Sequence, residues 1–410
     1  MSAELIVVCG VDVPGVEAVV HRLRRQRRGT VVVHHDLRDV AAGVVRRRMH
    51  WDSRSETITL KLAHGCLSCA LRVDVLPLLQ SLARTPQLRR IVLRLDPVLA
   101  PDQICWALRQ VRVGGAPVLE DLDLRGVITV VNPGSWLADA TGAAQPPERG
   151  LAVLPGDKRT VAQVVVGQAE FADLLVYSGT SEAQLLARTD AVLARLVPLA
   201  CRLRINDAGP ELSLGELPPG ARRGRVDDPF AALLRGQPPL HRTCGAELIV
   251  FTARHPFHPE RLHEAVDVLL DGVVRSRGRV WLATRPETAL WMESAGGALQ
   301  LGVAGDWLAA GDAAAWAAAD PERVAMAAVN WHHEWGDRRQ ELAVLAYAAD
   351  PDKITAALRA ALLTKAELAA GAAVWRTYPD PFGLSHTEPC GTPVDNPRAA
   401  ARPGDKTRHE

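Results

Sequence analysis

In the first half of the chain, short apolar runs alternate with longer segments whose apolar residues recur every three or four positions. ELIVVCG at 4–10 reads as a buried strand closing on glycine, and Val16, Val19, Val20 and Leu23 then repeat at helical spacing through 16–26. TVVVHHD (30–36) and LRRIVLRL (88–95) predict further strands, ETITLKL (56–62) alternates as an edge strand does, and a helix is expected over 70–84. From Pro101, which suits a first helical turn, Ile104, Leu108 and Val111 share one face. GVITVVN (126–132) and DLLVYSG (173–179) continue the strand series, and 181–198 predicts a helix capped by Ser181. Strands separated by helices of this length predict an α/β layer with a mostly parallel sheet over 1–206.

Residues 207–243 break the pattern. Their Gly and Pro content predicts a linker, part of it mobile. Apolar periodicity then returns. AELIVFTA (246–253), 273–284 and 338–348 read as strands, and 289–305 as a hairpin about Gly296–Gly297. HPERLHEAVDVLLDGV (258–273) is a helix with Pro259 in its first turn and a stripe of Leu262, Val266, Leu269 and Leu270, and 352–364 is another. This predicts a smaller α+β domain over 244–385, with Trp281 and Trp291 in its sheet core. The polar, Pro/Gly/Arg-rich stretch 386–410 is expected to be disordered.

Composition narrows the class. Among 410 residues 48% are apolar and the formal net charge is +1, so the chain is globular and carries no global attraction for nucleic acid. No apolar run reaches the roughly 18 residues of a membrane span, and no secretory start is visible; no membrane partner and a cytoplasmic location are expected. Seven scattered cysteines exclude a disulfide framework. Arg22, Arg24, Arg25, Arg27 and Arg28 cluster on and just past the first helix, and three arginines recur at 46–48. They read either as a solvated helix face or as a salt-sensitive, sequence-blind contact with a polyanion, ribosomal RNA being the natural candidate.

Two motifs carry candidate chemistry. The turn GVDVPGVEA (10–18) lies between strand and helix, where a phosphate-binding loop reads G-x-x-x-x-G-K-[ST]. Gly10 and Gly15 keep the outer glycines, but the lysine and hydroxyl positions hold Val16 and Glu17. Valine cannot neutralise a phosphate, and a carboxylate places negative charge where phosphates would lie. In LAHGCLSCALR (62–72), Cys66 and Cys69 have the spacing that lets two thiolates face one ion, with His64 just ahead. The pair reads as a zinc site, as a structural pair, or as a redox pair. His34 and His35 end the second strand and are candidates to lie near it. His255, His258 and His263 read as capping and packing. His332 and His333, adjacent in sequence, would face opposite ways on a strand.

Together these features resemble the CobW-type P-loop GTPases. Gly65, Cys66, Leu67, Ser68 and Cys69 occupy the place of that family's G-C-x-C-C metal motif. RHPFHPERL (254–262), GVVRSRGRVWLATR (272–285) and GDRRQELAVLA (336–346) resemble signatures of its C-terminal domain. AHGCLSCALR, PDQICWALRQVRV (101–113) and RTVAQVVVGQAEFADLL (159–175) are similar to an actinobacterial branch whose members recruit a ribosome hibernation factor when zinc is scarce. The resemblance implies a P-loop NTPase-like domain followed by a CobW C-terminal domain. It implies zinc at Cys66, Cys69 and His64, nucleotide contact at Gly10 and Gly15, and an adaptor whose partners are the hibernation factor and the ribosome. The alternatives are a GTP-dependent zinc metallochaperone and a thiol redox protein. Three departures weigh against GTP and magnesium, and leave open whether the chain is an enzyme. They are Val16/Glu17, Arg94-Leu95-Asp96-Pro97 in place of the family's Walker B segment, and Tyr177-Ser178-Gly179-Thr180 in place of a guanine-reading Asn-Lys-x-Asp.

Overall fold

A computed structural model describes residues 2–383 apart from 53, 63–66, 180–181, 208–211, 213 and 216. In the N-terminal domain β1 (Ala3–Cys9), β2 (Thr30–Asp36), β3 (Val44–Trp51), β4 (Arg54–Lys61), β5 (Arg90–Arg94), β6 (Leu122–Val131), β7 (Leu174–Tyr177) and β8 (Cys201–Arg204) form one sheet, ordered β8-β7-β6-β1-β5-β2-β3-β4. From β8 to β2 every pairing is parallel, and β3 and β4 add an antiparallel hairpin at one edge. Parallel strands covered on both faces are apolar along nearly their whole length. In β1, Leu5, Val7 and Cys9 pack with the segments 70–79 and 104–108. Ile6 and Val8 pack on the other face, against Val16, Val19, Val20 and Leu23 of the first helix (Val13–Gln26).

The arginine run at 46–48 lies in β3, and each of its side chains has a carboxylate partner. Arg46 pairs with Asp39, Arg47 with Asp74 at 2.5 Å, and Arg48 with Asp36 at 3.1 Å. The helix expected at 181–198 spans Ala183–Leu196 behind Glu182; Ser181 lies outside the described residues. Of the 207–243 stretch, Leu212, Leu214 and Leu217 join the core beneath the first helix, and Phe230 and Leu233 are buried beside the second domain.

The second domain is a five-stranded antiparallel sheet of β9 (Glu247–Ala253), β10 (Val273–Val280), β11 (Thr288–Ala295), β12 (Ala298–Asp306) and β13 (Gln340–Ala346), ordered β9-β13-β10-β11-β12. Helices Pro259–Leu270 and Pro351–Ala361 cover one face through Leu262, Leu269, Ile354 and Leu358. Trp281 is fully buried, whereas Trp291 is only half-buried, packed toward the first domain. The other face of this sheet meets the central helix Val161–Glu170, whose Val161, Ala162, Val165, Val166 and Ala169 share one core with Leu248, Val274, Ala295, Ala343 and Leu345. No helix among the described residues is long and apolar enough to cross a membrane.

Glu170, at the end of the central helix, ties the domains together. Arg275 Nη2 lies 3.0 Å from its carboxylate and Arg277 Nη1 is closer still. Arg222 Nε donates to the Glu170 carbonyl at 3.2 Å and pairs with Asp227 at 2.7 Å, and Asp227 also holds Arg235. Burial alone would raise the Glu170 pKa, but the charges of Arg275, Arg277 and Arg222 outweigh it and hold the carboxyl below its usual range. Removing one partner from a buried network leaves unpaired charge in the interior. Glu170→Ala is expected to cost about 3–5 kcal/mol, read as a lowered urea midpoint together with faster protease cleavage within 217–243. Asp123→Ala, at the exposed Arg125 pair, is expected to change stability by about 0–1 kcal/mol.

Candidate functional site

In a parallel sheet with helices on both faces, ligands bind beyond the carboxyl ends of the strands. Gly10, Asp36, Asp96 and Ser178 all lie there, just past or at the ends of β1, β2, β5 and β7. Gly10 turns sharply (φ +148°), and a Cβ there would lie 2.6 Å from the Val130 carbonyl oxygen. The first helix then begins at Val13, so only residues 10–12 separate strand from helix. The Val16 amide already donates to the Asp12 carbonyl at 2.9 Å, and Pro14 has no amide hydrogen. Gly15 lies inside the helix under an interstrand contact, in which Ser178 Oγ donates to Asp12 Oδ2 at 2.5 Å. A Cβ on Gly15 would collide with that Asp12 oxygen and sit 2.6 Å from the Ser178 Cβ.

The two residues at the lysine and hydroxyl positions are also engaged internally. Val16 is buried in the core beneath the sheet. Glu17 pairs with Arg94 at 2.6 Å, from the first helix to the end of β5. Asp96 accepts the Leu37 amide at 3.0 Å on one carboxylate oxygen and the Val98 amide at 3.3 Å on the other. Burial pushes its pKa up, and those two amides only partly offset the rise. A guanine nucleotide with magnesium does not fit these residues. The charge expected to meet phosphate is absent, the Val16 amide is engaged within the helix, Pro14 has no amide hydrogen, and Asp96 is held by backbone.

At the proposed metal end, His64 and Cys66 lie outside the described residues. Cys69 belongs to the short helix Leu67–Ala70, which continues as a π-turn over Leu71–Val75. That segment is pinned to the sheet. His35 Nε2–H donates to Asp74 Oδ2 at 2.7 Å, and Arg47 reaches Asp74 Oδ1 at 2.5 Å. His35 therefore holds the segment bearing Cys69. Beneath it lies a small, largely apolar cavity lined by Leu37, Leu67, Leu71, Leu93, His35 and Asp96. His34 is buried and its Nδ1–H donates to the Arg94 carbonyl at 3.3 Å. Among the described residues no group of three or more His, Cys, Asp or Glu side chains is placed to hold a metal. His332 and His333 do not face opposite ways, because the backbone turns between His332 and Gly336 and the two rings lie 4.4 Å apart. His258 caps the helix Pro259–Leu270 by backbone position and stacks on Tyr378, in keeping with the packing role read from sequence. Cys9, Cys105, Cys201 and Cys244 are free; Cys9, hydrogen-bonded to Thr129, has its thiol pushed up to about 12 by burial.

Residues 17–202 match the CobW/HypB/UreG nucleotide-binding domain, and 246–362 match the cobalamin synthesis protein CobW C-terminal domain. The first match begins at Glu17, the second of the two altered positions. The chain is 44% identical over 400 residues to a Mycobacterium tuberculosis protein named zinc chaperone Rv0106, covering 95% of each. This chain belongs to the CobW-type P-loop GTPase family. A second relative of this CobW protein, the zinc-regulated GTPase metalloprotein activator 1 of Dictyostelium discoideum, is 25% identical over 340 residues, covering 79% of this chain and 70% of that one. The Zn(II)-bound YjiA GTPase of E. coli covers 88% of the CobW chain with a TM-score of 0.38 and 15% identity.

The sequence reading placed Glu17 and Arg94 in two separate degraded motifs and did not pair them. Opposite charges at the two motif positions, Glu17 and Arg94, are the signal that pairs them. His34 gives this end of the CobW protein a pH dependence. Burial, then the Arg94 charge, lowers its pKa to about 4 in the fold, against about 6.5 in an unfolded chain. The unfolded chain takes up the proton first, so this stabilisation is complete above about 6.5 and is lost as pH falls toward 4. Asp36, held down to about 2 chiefly by its hydrogen bond from Arg38, adds a further loss below 3.8. The melting temperature is expected to fall between pH 6.5 and 4, and to fall less steeply in His34→Gln, as followed by circular dichroism across that window.

Proposed function

We propose that this protein is a zinc metallochaperone built on a GTPase-type scaffold. One observation carries the reading: 44% identity, over 95% of both chains, to a protein named zinc chaperone. The chemistry of 64–69 supports it. Cys66, Cys69 and His64 offer two thiolates and one imidazole, and Ser68 stands where the family has a further cysteine. Structural zinc sites are closed by four protein ligands, whereas three leave a position open to an incoming ligand. Such a site suits a metal that must be passed on. The helical segment that follows Cys69 is anchored to the sheet, because His35 and Arg47 both hold Asp74.

Recruitment of a ribosome hibernation factor to the ribosome stands as the second reading. The surface that favours it is small. Arg25 and Arg28 are exposed, whereas Arg22 donates to the Ile205 carbonyl at 2.7 Å and Arg27 pairs with Glu4 at 2.7 Å.

The purified protein is expected to hold one zinc per chain, measured by plasma mass spectrometry and by competition with a chromophoric chelator. The Cys66→Ser/Cys69→Ser variant is expected to hold none at the same chelator strength. Unchanged zinc in that variant would sink the site. Zinc that stays on the protein when a zinc-free acceptor is offered would sink delivery.

A further inference from the structure

The family implies a guanine nucleotide, and this chain's residues do not fit one. We propose that the protein binds no guanine nucleotide because its own side chains bridge the elements that a nucleotide and its magnesium would otherwise join. This goes beyond zinc handling and stands or falls separately from it.

In a working P-loop protein the phosphates and metal link the loop after β1, the first helix, the end of the Walker B strand and the guanine-reading loop. Here each link is a direct contact. Asp12 and Ser178 join the loop after β1 to the segment after β7 at 2.5 Å. Glu17 and Arg94 join the first helix to the end of β5 at 2.6 Å, with Arg94 11% exposed. Asp96 joins the segment after β5 to the segment after β2 through the Leu37 amide. The glycines that outline the old motif have a local role. Gly10 clears the Val130 carbonyl, and Gly15 leaves room for the Asp12–Ser178 contact. Within the old loop, the Val16 amide donates to the Asp12 carbonyl at 2.9 Å and Pro14 brings no amide hydrogen, so two of the positions that would face phosphate offer no donor. A scaffold closed in this way has no nucleotide-driven pair of states, so its metal affinity is the same with and without GTP.

The test uses the full chain, zinc-free and zinc-loaded. A fluorescent GDP analogue and GTP, each with Mg²⁺, are titrated in, and melting is followed with and without millimolar GTP. The expected result is no saturable signal and no melting shift, whereas a ligand at about 100 times its Kd would raise the melting point by several degrees. Saturable binding or such a rise overturns the proposal whatever the zinc result. Val16→Lys/Glu17→Thr restores the two motif side chains and is expected to remain without nucleotide binding; recovery by these changes alone would show that backbone and Asp12–Ser178 do not close the site. Glu17→Gln and Arg94→Gln are each expected to lower the melting point, and the double variant by less than the sum. Strict additivity would mean that the two side chains do not act as one tether.

Discussion

The buried carboxylate of Glu170 is the contact on which the arrangement of the molecule depends. It terminates a helix covered on both sides, so it cannot reach water, and it is neutralised by arginines from the second domain and from the linking stretch. Buried charge is tolerated only when fully partnered. This fixes the strand β10 that carries Arg275 and Arg277 against the first domain, and it fixes the 222–235 segment across the junction. The apolar contacts of the central helix supply the burial, and the ion network sets the orientation.

At the other end of the N-terminal sheet a similar economy operates on a smaller scale. The P-loop architecture is kept, with its strand order and carboxyl-end crevice, but the groups that would meet phosphate have partners within the chain. Arg94 is largely buried at the end of β5, and Glu17, itself exposed on the first helix, supplies its counter-charge. The neighbouring β2 carries His34 and His35 into the same region. One is held neutral near Arg94 and the other anchors the segment that bears Cys69. The contacts around the old nucleotide crevice and those that support the cysteine segment thus share one set of strand ends.

Chemistry and architecture were legible in the sequence to different degrees. Strands 4–10, 30–36, 88–95, 126–132 and 173–179 could be read because a parallel strand buried on both faces shows as a continuous apolar run. The helices Pro259–Leu270 and Pro351–Ala361 could be read because each buries one stripe. The central helix Val161–Glu170 could not, since a helix buried all round has no polar face and so no period. The strand β3 was hidden by its three arginines, whose carboxylate partners lie at Asp36, Asp39 and Asp74.

By itself the sequence determined the class of fold, the order of the two domains and the loss of the lysine and hydroxyl at Val16 and Glu17. Those are properties of residue type and local spacing. Only the tertiary structure decided what replaced the lost groups. Asp12 meets Ser178 across 166 positions, Glu17 meets Arg94 and Glu170 meets Arg275, all pairings set by strand order and sheet packing rather than by neighbourhood along the chain. An ion pair depends on distance in space, which the spacing of residues along the chain does not fix.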